Sequence, residues 1–164
     1  MALVGFRLLL KYEDRLPPEQ RVRQQFENNR ADYTQFVTLL QRDQSVHSID
    51  EGGRVASDGV YSRRVPEYRN LIRKIGAKDV TIRKDGSIEF ALYGFGCAIC
   101  SDSLTGVRYV PKVRRGTSPG GWEQTVVASL ESAKLPQEKG AVATGLYVVP
   151  IEPEWFVYRF EYRE

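Results

Sequence analysis

Between Pro18 and Asp43 the hydrophobic positions recur every three to four residues. Val22, Phe26, Tyr33, Val37 and Leu40 fall on one side of a helix with Phe36 beside them, and Arg23, Glu27, Arg30 and Gln41 fall on the others. Pro17-Pro18-Glu19 starts such a helix well, because proline is tolerated in the first turn and an early carboxylate complements the helix dipole. The pattern predicts one long amphipathic helix over about residues 18–43, roughly 39 Å at ~1.5 Å per residue. A shorter helix is predicted from Pro66, with Tyr68, Leu71, Ile72 and Ile75 on one face and Gly76 as its left-handed stop. Residues 44–64 lack a period, carry Gly52, Gly53, Gly59 and four serines, and read as a long loop.

After Gly76 the period changes from helical to alternating. Val80-Thr-Ile-Arg83 and Ile88-Glu-Phe-Ala-Leu-Tyr-Gly94 flank Asp85-Gly86, a strong short-range hairpin signal. The second strand is expected to reach Gly96, turn through Ser101–Gly106 and return as Val107–Pro111. Gly116–Gly121 reads as loop, and residues 122–135 are predicted to hold a helix ended by Pro136. Leu146–Ile151 and Trp155–Tyr162 are predicted to close the chain as a hairpin around Pro150 and Pro153. In the last strand Phe156, Tyr158, Phe160 and Tyr162 share one face, which is expected to pack beneath the long helix, while Trp155, Val157, Arg159 and Glu161 share the other. Helices followed by strands argue for an α+β fold with a curled antiparallel sheet rather than alternating βαβ units. Residues 1–164 are read as a single domain that includes an N-terminal arm over residues 1–15. In that arm Val4, Phe6, Leu8, Leu10 and Tyr12 alternate as in a half-buried strand. The competing reading takes residues 2–10 as the remnant of a membrane anchor.

Composition removes more chemistry than the motifs add. With 41% hydrophobic and 27% charged residues the chain is ordinary globular protein, and no run of ~20 apolar residues is present. Its 24 Lys+Arg against 21 Asp+Glu leave +3, too even a balance to name nucleic acid as a partner. One histidine and two cysteines cannot complete a four-ligand zinc or iron–sulfur site within one chain, and the carboxylates show no EF-hand spacing. No metal or cofactor is therefore expected.

The candidate reactive groups are few. Cys97-Ala-Ile-Cys100 has the spacing of a redox pair, but only about one turn of chain separates it from Gly106, and no βαβ unit surrounds it. A tight disulfide or two small residues in a turn is the simpler reading; a thiol-dependent enzyme or redox protein centred on Cys97 and Cys100 is the alternative. His47, the one imidazole, falls in a polar stretch and reads as a surface loop residue rather than a partner for a cysteine nucleophile. No catalytic residue is assigned. Arg63, Arg64, Arg114 and Arg115 beside glycine-containing loops, with Trp122, Trp155 and Arg159, are the residue types that dominate protein interfaces, and the arginines suit an acidic protein surface.

Four stretches together resemble a loose group of small bacterial proteins, many of them membrane-tethered or lipoprotein-like. They are Phe26–Leu40, Tyr68–Gly76, Gly106–Pro111 and Trp155–Tyr162. The resemblance implies a long helix followed by a curled antiparallel sheet with an aromatic last strand, and it carries over no catalytic residue. Small α+β proteins of this kind include immunity partners of toxins. The expected function is thus a non-enzymatic protein-binding module of the toxin-immunity type. Its partner would be another protein, its place the bacterial envelope (with the cytoplasm as alternative), and a tether through a segment upstream of or including residues 2–10 would make it a structural envelope protein.

Overall fold

The computed structural model describes residues 18–57, 64–95, 102–112, 124–130 and 143–163. The chain is α+β, and its described residues form three helices and one open sheet. The helices are α1 (Pro18–Asn28), α2 (Arg30–Arg42) and α3 (Val65–Ile75). The strands are β1 (Val46–Asp50), β2 (Val55–Ser57), β3 (Asp79–Ile82), β4 (Ile88–Phe95), β5 (Asp102–Tyr109), β6 (Gln124–Val126), β7 (Ala143–Glu152) and β8 (Trp155–Arg163), in the spatial order β2-β1-β3-β4-β5-β8-β7-β6. Seven strands run antiparallel to their neighbours, and β6 joins the edge of β7 in parallel. Among the described residues no helix is long and apolar enough to cross a membrane.

The single helix expected over residues 18–43 is two helices. The chain breaks at Asn29, which leaves helical geometry at φ −121°, ψ 19°. Its side-chain amide donates to the Gln25 carbonyl at 2.9 Å, while its own carbonyl accepts the Tyr33 N–H at 3.1 Å, so one residue ends α1 and begins α2. Asparagine competes for backbone partners in this way and is a poor helix former, and here two adjoin. The apolar stripe survives the break: Val22 and Phe26 from α1, and Tyr33, Phe36, Val37 and Leu40 from α2, all enter one core. The shorter helix matches its expectation, ending on Gly76 at φ +64°.

Three other expectations fail. The stretch read as a loop from Gln44 holds the β1–β2 hairpin, whose turn is locked by Asp50 accepting from the Arg54 backbone and side chain. Where a turn was expected at residues 101–106, residues 102–106 open β5, which pairs along its whole length with β8. Where a helix was expected over 122–135, residues 124–126 form a strand. The Asp85-Gly86 and Pro153 hairpins are present.

A bulge between Ala91 and Tyr93 sends both Leu92 and Tyr93 to the helix side of β4. There the Tyr93 hydroxyl donates to Gln25, whose amide donates in turn to the last carbonyl of α3, Ile75, so one glutamine joins α1, α3 and the sheet. Opposite Ala91 lies Gly106. A methyl group at Gly106 would run into the Phe90 carbonyl and the Ala91 Cα, backbone atoms that cannot step aside. Gly106→Ala is expected to lose about 3 kcal/mol by forcing β4 and β5 apart. Gly94→Ala meets only the flexible end of Leu104 and should lose no more than about 1 kcal/mol. Urea unfolding of both variants checks the contrast.

Candidate functional site: the sheet face opposite the described helices

Alternation divides the sheet into two unlike faces. All three helices cover one face, where Ile49, Val80, Ile88, Phe90, Val107, Tyr147, Val149, Trp155 and Val157 meet the helix stripes in a single core. The opposite face carries a separate apolar cluster of Leu146, Val148 and Tyr158 with Phe156 and Phe160 packed against it, and no described helix contributes to it.

The last strand is therefore turned over relative to expectation. Trp155, taken from the sequence as a surface or partner residue, is only 6% exposed and lies in the helix-side core. Its ring sits 4.9 Å from Phe26 and 5.1 Å from Tyr109, centroid to centroid. Phe156, Tyr158 and Phe160, expected under the helix, face the other way. The more aromatic face was expected to enter the core, but Trp155 and Val157 make the first half of the other face apolar as well. The indole fits the aromatic ring set that α1 and α2 bring with Phe26 and Tyr33, and that contact decides the orientation.

Next to the apolar cluster, on the same face, the β3–β4 turn and strands β4 and β5 bring together five polar side chains. Glu89 on β4 stands directly across from Arg108 on β5. Arg83 donates twice to Glu89 Oε2, from Nε at 2.9 Å and Nη2 at 2.6 Å. Arg108 places Nη1 3.6 Å from Glu89 Oε1 and Nη2 3.6 Å from Asp85 Oδ2, and Nη2 donates to the Ser87 hydroxyl at 3.1 Å. Asp85 also accepts from the Ser87 backbone and hydroxyl at 2.8 and 2.6 Å, which fixes the turn that holds it. The side chains of Arg108 and Glu89 are each 8% exposed, so this is a buried ion network rather than a surface one. Burial works against the charge of Arg83, but its hydrogen bonds and attraction to Glu89 outweigh that and raise its pKa further.

Tyr158 joins the two halves of this face. It lies across from Gly106, where no side chain competes for the space. Burial pushes its phenol far above the ordinary tyrosine range; the Glu89 and Asp79 carboxylates push the same way, against Arg83 and Arg108. Tyr33, in the helix-side core, is raised similarly by burial and by Tyr93. Both phenols stay protonated and can donate but not act as bases. Because their folded pKa lies above the unfolded value of about 10, their contribution to stability is complete below that pH and declines above it. The melting temperature is expected to fall above pH ~10, less steeply in Tyr158→Phe and Tyr33→Phe. Ultraviolet titration of the phenols should show both groups silent until the protein unfolds; normal titration of either in the folded protein would contradict this.

Of the interface residues named from the sequence, Arg159 lies on the helix-side face of β8, paired with Glu161 at 2.8 Å and set 5.8 Å from the Tyr147 ring. Arg64 immediately precedes α3 and is half-buried. Arg63, Arg114, Arg115, Trp122, Cys97 and Cys100 lie outside the described residues. His47 is exposed, on strand β1 rather than in a loop. Among the described residues no group of three or more His, Cys, Asp or Glu side chains is placed to hold a metal ion.

The residues that do converge were not singled out from the sequence. Glu89 and Arg108 each interrupt an apolar alternation, which marks them as facing away from the core but not as facing one another. Among the described residues, Leu104 and Val126 are the exposed large hydrophobic ones, at 43% and 63% exposure. Cross-strand pairing puts both on the face opposite the described helices: Leu104 stands opposite Phe160, and Val126 opposite Val148. They flank the buried cluster on two sides.

Compared with known proteins, the chain matches no family model, no curated protein and no solved structure.

Proposed function

We propose that this chain is a non-enzymatic protein-binding module that meets its partner at the rim of the sheet face opposite the described helices. The observation that supports it is the placement of Leu104 and Val126. Exposed leucine and valine side chains scattered singly would need no explanation, but these two border the same apolar cluster on the same face. The charges beside that cluster, Arg83, Glu89, Arg108 and Asp85, are paired with one another, so the chemistry this rim offers a partner is apolar burial. A partner of the bacterial toxin type, with this chain as its immunity protein in the cell envelope, is the specific form of the proposal that the resemblance of the helices and the last strand favours.

Both rim residues are exposed, so glutamate at either position should leave folding intact while placing an unpaired charge in the contact. The chain is expected to carry its partner out of an extract of the cells that make it. Leu104→Glu and Val126→Glu are expected to retain at least ten-fold less of the same protein, with unchanged circular dichroism and unfolding midpoint. If the captured protein is held equally by the wild type and both variants, the partner docks elsewhere and this reading fails. A chain that captures nothing at near-native salt but shows turnover in an activity screen would replace it with an enzyme.

A further inference from the structure

We draw no further inference here: the strongest candidate, the buried side-chain cluster around Arg108 on the sheet face opposite the described helices, where the guanidinium Nε and Nη1 lack hydrogen-bond partners, belongs to the site already described and has its charge balanced by Glu89 and Asp85, so it points to no ligand.

Discussion

Replacing Glu89 by alanine is expected to destabilise the protein by about 3–5 kcal/mol, the range for breaking one partner out of a buried ion pair. The size of the effect comes from what is left behind. Arg108 is 8% exposed and cannot turn its guanidinium out to water, and after the substitution its remaining carboxylate is Asp85 at 3.6 Å. Arg83 loses both of its short hydrogen bonds at the same time, though it is half exposed and recovers much of that from solvent. Removing the whole charge pair should be far milder. Glu89→Leu combined with Arg108→Leu exchanges the ions for apolar groups of similar size and is expected to regain most of the loss. Lys74→Ala, which removes a half-exposed pair with Asp32, should stay within about 1 kcal/mol. Guanidinium unfolding of the four proteins separates these outcomes. A Glu89→Ala variant no weaker than Lys74→Ala would mean that solvent reaches Arg108 and that the network is not sealed.

Phe26→Ala is expected to lose a comparable amount, about 3–5 kcal/mol, through a different mechanism. Phe26 is fully buried at the end of α1, with its ring 5.4 Å from Tyr33 and 4.9 Å from Trp155. Truncation opens a hole at the point where α1, α2 and β8 meet, and the surrounding rings are too stiff to collapse into it. Set against a total stability of roughly 5–15 kcal/mol, the loss is severe. Arg30→Ala removes a solvent-facing fork to Glu152 from the next helix and should stay within about 1 kcal/mol. If Phe26→Ala and Arg30→Ala unfold at the same denaturant concentration, α1 does not pack on the sheet.

These two experiments probe opposite faces of one sheet, and together they bear on where a partner can bind. Among the described residues, the large apolar side chains that reach solvent, Leu104 and Val126, lie on the other face. They border the Leu146–Val148–Tyr158 cluster, Leu104 through Phe160 and Val126 through Val148. The sequence had directed attention to arginine pairs and to Trp155. Trp155 is in the core, and Arg159 is engaged with Glu161, so an acidic surface finds neither residue available as an open binding group.

Local signals were legible wherever the physics is local. The α3 helix, its proline start and its glycine stop follow from steric preferences of single residues, and Gly86 at φ +78° in the β3–β4 turn follows in the same way. The apolar stripe through Phe26, Tyr33 and Leu40 was visible because helical spacing itself brings those residues to one side. The break at Asn29 was also a local event, signalled by Asn28-Asn29, but a strong period on both sides concealed it. The α+β class followed from the order of these elements.

What depended on register could not be seen. Ser101–Gly106 has the composition of a turn, yet Asp102–Gly106 is strand, because β8 supplies it a continuous partner and Gly106 fits the close approach of Phe90 and Ala91. Alternation pointed the four-aromatic face of β8 at the helices, because it is the more apolar one; the ring set of Phe26, Tyr33 and Phe90 around Trp155 turned the strand the other way. Glu89 and Arg108 lie nineteen residues apart, and only the β4–β5 pairing sets them face to face at a depth where each needs the other. Leu104 and Val126 likewise became neighbours of one cluster through β8 and β7. The sequence by itself determined the elements and the stripes they bury, because those arise from chain geometry within a few residues. The tertiary structure alone decided which side chains share a face, because that is set by strand pairing between segments with no local preference for one another.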